Sequence, residues 1–170
     1  MNLYIVRHAI AEQRQDNTSE EEDSQRTLTD QGRKKFRKIA RGLGDLGVQL
    51  DMILTSPYVR AVDTAKILRK KLDLGKDQLV VMQDIAPGGD AARLIGEIAQ
   101  KYGNLEGVAV VGHEPGLSRL ISTLLSGDPT LPIMLKKGGV CCLAVDKLEY
   151  GRCATLEWLL APGQLESVAG

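Results

Sequence analysis

The run Val108-Ala109-Val110-Val111 is apolar at every position and leads directly into Gly112-His113. A strand with one wet face alternates apolar and polar side chains. A strand without alternation is covered on both faces. Such a strand belongs inside a sheet that is sandwiched between helices. The rest of the chain must then supply its neighbours and two covering layers.

The flanking sequence does so. Residues 3–6, 52–55, 79–82 and 140–145 also read as strands, and 154–160 can pair with the last of these across a turn near 147–151. Helical spacing falls between them. Phe36, Ile39, Ala40 and Leu43 recur at intervals of three and four behind Thr29, a candidate N-cap. Ser56-Pro57 reads as a cap followed by proline at the first helical position, ahead of Ala61, Ala65, Leu68 and Leu72. Residues 91–102 form another candidate. Leu117, Leu120, Ile121, Leu124 and Leu125 make a stripe that Gly127 ends. This alternation predicts an α/β fold, a three-layer α/β/α sandwich around a mainly parallel, mixed central sheet. With 170 residues, one domain over 1–161 is expected, followed by a poorly ordered C-terminal tail, 162–170. Segment 12–26 has no apolar period and carries acids from Glu20 to Asp23. It reads as a long loop, either a lid or a solvated acidic surface.

Charge and cysteine content narrow the function classes. The 22 basic and 22 acidic residues cancel, which argues against a nucleic-acid partner. No apolar run approaches the roughly 20 residues of a membrane span, and the N-terminus lacks the features of a signal peptide. A cytoplasmic protein without a membrane partner is expected. Cys141, Cys142 and Cys153 are odd in number and form no CxxC pair, so reduced thiols are expected.

The chemistry concentrates at strand ends. The chain has two histidines, His8 and His113, and each follows a predicted strand. Ligands of open α/β sheets bind outside the carboxyl ends of the strands. Arg7 precedes His8, and Arg60 lies in the first turn after the strand 52–55. Two guanidinium forks and two imidazoles near helix N-termini suit a compact anion, most obviously a phosphoryl group. There is no Walker-type loop and no cysteine followed by a phosphate loop and arginine. His8, His113 and Glu114 could be assembled into a metal set, but arginines crowding a dication are electrostatically costly. No metal or other cofactor is therefore expected. Covalent catalysis remains: neutral His8 attacks phosphorus, while the arginines and a protonated His113 stabilise the transferring oxygens. An acid protonates the leaving group and then activates water.

Three segments carry a family resemblance. "VRHA" is similar to the Arg-His-Gly signature of the histidine phosphatase (phosphoglycerate mutase-like) superfamily, with Ala9 in place of glycine. "SPYVRAVDTA", containing Arg60, resembles its second motif, and "VVGHEPG" its second-histidine motif. The small size and "DIAPGGD" resemble the SixA branch, the phosphohistidine phosphatases. The resemblance spans residues 2 to about 125. It implies phosphorylation of His8, with Arg7, Arg60 and His113 completing the phosphate pocket. Arg26 in "QRTLT" resembles an arginine that SixA-type proteins carry, which would reach phosphate or substrate. The implied activity is metal-independent phosphatase action on a histidine-phosphorylated signalling protein, a histidine phosphotransfer domain among the candidates.

The departures point away from mutases. The first motif continues "AIAEQ", without the serine and asparagine of mutases, and "MQDIAPGGD" lacks their glutamate. The proton donor is open between Glu114, which ranks first, and Asp90; a purely capping Glu114 explains the same position. Two other functions remain open: a phosphatase of a small phosphorylated metabolite, and a catalytically idle phosphate-binding domain.

Overall fold

The structure is a computed structural model that describes residues 1–169. Six strands form one sheet in the order β3-β2-β4-β1-β5-β6, with β1 (Asn2–Arg7), β2 (Met52–Thr55), β3 (Leu79–Val81), β4 (Gly107–Gly112), β5 (Val140–Val145) and β6 (Ala154–Leu160). The first four are parallel; β5 runs antiparallel to β1, and β6 antiparallel to β5. The apolar run that predicted a doubly covered strand lies in β4, between β1 and β2, and is buried along its whole length.

The two faces are separate cores. Tyr4 and Val6 pack with Phe36, Ile39, Leu43, Ala65 and Leu68, from α2 (Asp30–Asp45) and α3 (Val59–Lys71). Leu3 and Ile5, pointing the opposite way from the same strand, pack with Leu94, Ile98, Leu120, Ile121 and Leu124, from α4 (Ala91–Tyr102) and α5 (Gly116–Ser126). The period-two alternation of β1 thus feeds both layers of a three-layer α/β/α sandwich.

Three local expectations are corrected. The end of the chain is not a loose tail: Pro162–Val168 is a helix, α6, packed on α2, with Leu165 fully buried. Gly42 makes that contact possible, since a Cβ there would sit 2.0 Å from the Leu165 carbonyl oxygen. The acidic segment is not structureless either. Glu20–Gln25 forms a short helix, α1, which Ser19 caps by accepting from the Glu22 N–H while the Glu22 carboxylate accepts from the Ser19 N–H. Ser56 does not cap α3, which starts at Val59; the chain turns through Pro57 and Tyr58 first. Thr29 does cap α2, accepting from the Gly32 N–H at 2.9 Å.

Truncating Leu165 to alanine should lower unfolding free energy by about 2–5 kcal/mol, the usual loss for a buried leucine. Urea unfolding of the Leu165→Ala variant checks this. A change within about 0.5 kcal/mol, as at an exposed site, would show that α6 contributes nothing to the core.

Candidate active site

Strand register sets the geometry. Arg7 stands opposite Gly112 in the β1–β4 pair, and Thr55 opposite Val111 in the β2–β4 pair. The residues that follow, His8, Ser56 and His113, therefore leave the sheet side by side at its carboxyl edge. The imidazole centroids of His8 and His113 are 5.1 Å apart. Both histidines are buried, as is Arg60.

His8 is held on all sides. Its N–H donates to the Gly112 carbonyl at 3.1 Å, and its own carbonyl accepts from the Gly138 N–H at 3.2 Å. Gly138 has φ +79, which glycine adopts without the strain a side chain would bring. The following N–H, of Ala9, donates to Thr64 Oγ1, whose hydroxyl donates to the Arg60 carbonyl. Most informative is the ring: His8 Nδ1 lies 2.7 Å from the Ala9 carbonyl oxygen. A carbonyl only accepts, so Nδ1 carries the proton and Nε2 is left with a free lone pair.

Arg60 and Arg7 lie close enough for their charges to act on His8. Arg7 Nη1 donates to the Leu135 carbonyl at 2.9 Å. Arg60 Nη1 donates to the Asp23 carbonyl and Nη2 to Asp23 Oδ2, at 2.6 and 3.0 Å. Arg26 Nε donates to Asp23 Oδ1 at 2.8 Å, and its Nη1 to the Glu12 carbonyl. Asp23, itself buried, thus joins the two arginines and fastens α1 to α3. Burial pushes the Asp23 carboxyl up, but Arg60 and Arg26 outweigh it and hold the net value below the usual range. Tyr58 closes the cluster, with the Arg60 guanidinium 4.9 Å over its ring and its hydroxyl donating to Glu20 Oε1. Among the described residues, three buried side-chain polar atoms have no hydrogen-bond partner: Arg7 Nε, Arg60 Nε and His113 Nδ1. All three belong to this cluster. Such atoms are costly unless a ligand completes them, and the set suits an oxyanion.

The sequence of the chain is matched over residues 3–89 by the family model of the histidine phosphatase superfamily, branch 1. The chain belongs to that superfamily. Over 169 residues it is 28% identical to the phosphohistidine phosphatase SixA of Escherichia coli strain K12, covering 98% of this chain and 97% of that protein. It is 30% identical over 132 residues to the SixA homologue of Haemophilus influenzae, covering 73% and 77%. Its fold superposes on a structure of the protein histidine phosphatase SixA complexed with tungstate with TM-score 0.82 and 26% identity, covering 97% and 99% of the chains. Within the superfamily, this chain is of the SixA type.

Arg7, His8, Arg60 and His113 lie together at the carboxyl edge of the sheet, and Arg26 is tied to Arg60 through Asp23. The two acids differ from each other in placement. Glu114 Oε2 accepts from the Ser118 N–H at 3.1 Å, so one oxygen caps α5. The same residue lines, with His113, a notch of about 270 Å³ walled by Ile85, Pro115 and Leu117. Asp90 is exposed and caps α4, its Oδ1 accepting from the Ala92 and Arg93 N–H groups. Asp84, the other acid of that loop, is paired with Arg93. Asp23 and Ser56 were missed. A signal for Asp23 existed: Ser19 with Glu22 is a capping box, which turns the acidic run into a helix, and Asp23 precedes Arg26 by three residues.

The protein's own groups do not favour the expected protonated His113. Burial, with the charges of His8 and Arg60, pushes it down to about 3. Burial pushes His8 down to about 4 against the Ala9 hydrogen bond, aided by Arg60 and Arg7. Both rings are neutral at pH 7 on the protein's own groups.

A lowered folded-state value means the unfolded chain binds the proton more readily. Stability should therefore fall as pH drops through 6.5 towards 4 and be fully present above that window. At about 1.4 kcal/mol per pH unit, His8 alone accounts for on the order of 3 kcal/mol. Urea midpoints across this range check it. The His8→Gln variant should reduce the slope, with His113 supplying part of what remains; an unchanged slope would mean the His8 ring is not buried neutral.

Proposed function

We propose that the protein is a phosphohistidine phosphatase acting through a covalent phospho-His8 intermediate. The observation that carries the reading is the pairing of a bare His8 Nε2 with three buried, partnerless nitrogens on Arg7, Arg60 and His113. In this reading His8 supplies the nucleophile and the three nitrogens supply oxyanion donors. The relative of known structure binds tungstate, a tetrahedral oxyanion, which fits the same chemistry.

In this mechanism His8 Nε2 attacks phosphorus, and a P–Nε2 bond forms as the substrate's P–N bond breaks. The arginines hold the equatorial oxygens and spread their charge. The departing imidazole nitrogen takes a proton from Glu114, whose second oxygen is free of the cap. Glu114 then removes a proton from the water that attacks phospho-His8. The P–Nε2 bond breaks, inorganic phosphate leaves, and His8 is restored neutral. Arg26, tied through Asp23 to Arg60, faces the incoming substrate. No metal takes part. Asp90, committed to the cap of α4, is left with a supporting role at the 84–90 loop.

The substrate we favour is a phosphohistidine on a protein such as a phosphotransfer domain. The observation that keeps a small phosphorylated metabolite in view is the notch beside His113, which offers room for a compact leaving group. The fold contains no helix long and apolar enough to cross a membrane among the described residues.

A panel of phosphohistidine protein, p-nitrophenyl phosphate, sugar phosphates and nucleotides, compared by kcat/KM, tests the substrate class. The phosphoprotein should be turned over fastest, and His8→Ala should abolish turnover of every substrate. Higher kcat/KM on a metabolite would replace the substrate assignment. Full activity of His8→Ala would reject the mechanism.

A further inference from the structure

Ser56 is completely buried, and its Oγ lies 2.7 Å from His113 Nε2. Either partner can donate in such a contact, and the surroundings decide which. Ser56 Oγ already accepts from the Tyr58 N–H, at 3.3 Å. Among the described residues its hydroxyl proton has no other acceptor. Suppose that Nε2 carried the ring proton. The serine hydrogen would then be buried without an acceptor, and Nδ1 would be a bare lone pair among groups arranged for an anion. Suppose instead that Ser56 donates to Nε2. Ser56 Oγ, its hydrogen and His113 Nε2 are then all satisfied, and the ring proton sits on Nδ1, one of the three nitrogens left without a partner. The Tyr58 ring meets His113 edge-on, with centroids 5.1 Å apart at 61°, and fixes the plane of the imidazole.

We propose that Ser56 selects the neutral Nδ1–H tautomer of His113, so that His113 donates a hydrogen bond to the phosphoryl group as an uncharged imidazole. The inference rests on the phosphoryl-binding reading of this site and assigns Ser56 as a positioning residue. It removes an electrostatic conflict. The groups around His113 are His8, Arg60 and Arg26, with Asp23 as the opposing charge, and burial adds to the resistance against an imidazolium. A donor that needs no extra proton escapes that resistance. The two rings then share one tautomer and one charge yet do opposite things. His8, held at Nδ1 by the Ala9 carbonyl, presents a lone pair; His113, held at Nε2 by Ser56, presents a proton. No opposition of protonation states is required.

The chain contains two histidines, which makes the tautomers directly readable by NMR of protein labelled with 15N-histidine. The His8→Gln variant assigns the signals. At pH 7 both rings should show a protonated Nδ1 and an unprotonated Nε2, and inorganic phosphate should shift the His113 Nδ1 proton without protonating Nε2. Ser56→Ala should populate the Nε2–H form of His113 while leaving His8 unchanged. It should lower kcat about tenfold or more with little change in KM, as expected when a donor to the transferring group is lost. Ser56→Thr, which keeps the hydroxyl, should restore the tautomer. An Nε2–H or doubly protonated His113 in the unmutated protein would overturn the proposal, and so would an unchanged tautomer in Ser56→Ala. If Ser56→Ala does not fold, the tautomer of the unmutated protein decides alone. The readout needs no turnover. An inactive protein with the expected tautomer counts against the proposed function, whereas an active one with Nε2–H counts against this inference.

Discussion

The parallel pairing of β4 with both β1 and β2 is the constraint on which the site depends. Because Arg7 is level with Gly112 and Thr55 with Val111, three strands end on one line and hand over to His8, Ser56 and His113 together. A one-residue slip would turn each side chain to the opposite face of the sheet. Because both faces of β1 and β4 are covered, such a slip would move Leu3, Ile5, Val108 and Val110 out of the layer they pack in and into the other one, so the fit of the two cores fixes the register and the register fixes the chemistry. Stability and site geometry are thus consequences of the same two-sided packing.

Charge is the second organising element. Arg60 is buried deeply enough that it must be compensated, and Asp23 supplies both a carboxylate and a backbone carbonyl to it. Removing one partner of a buried pair typically costs about 3–5 kcal/mol, because the other charge is left alone. The acidic segment is therefore part of the Arg60 cluster and is not an appendage of it. The compensation is partial by design of the geometry: Asp23 engages the terminal nitrogens of Arg60, while Nε keeps its hydrogen free.

Much of this was legible in the sequence. Every strand was located: five are short apolar runs bounded by polar residues or glycine, and β6, which contains Thr155 and Glu157, was placed as the partner of β5 across a turn. His8, His113, Arg7 and Arg60 could be grouped because strand ends in an α/β sheet share an edge. What escaped notice depends on contacts between distant residues. Ser56 reads as a helix cap from local pattern, and only the folded register brings it to His113, which is 57 positions away. Asp23 reads as one acid in a run, and its burial follows from docking α1 against α3. The helix α6 is too short and too polar to announce itself, and Leu165 acquires meaning only where Gly42 lets the two backbones approach. The acids show the converse: Asp90 and Glu114 are where the sequence suggests, but neighbouring N–H groups claim Asp90 Oδ1 and Glu114 Oε2 as caps.

The central claim is that His8 Nε2 accepts the phosphoryl group, since Nδ1 is tied to the Ala9 carbonyl. The most direct measurement traps 32P-labelled phosphoprotein substrate on the enzyme, quenches in alkali to preserve phosphohistidine, and maps the label by peptide and by ring nitrogen. The account predicts label on His8 alone, as the Nε2 isomer. Label on Nδ1 of His8, on His113, or on any other residue would contradict it, as would turnover with no labelled intermediate when His8 is intact.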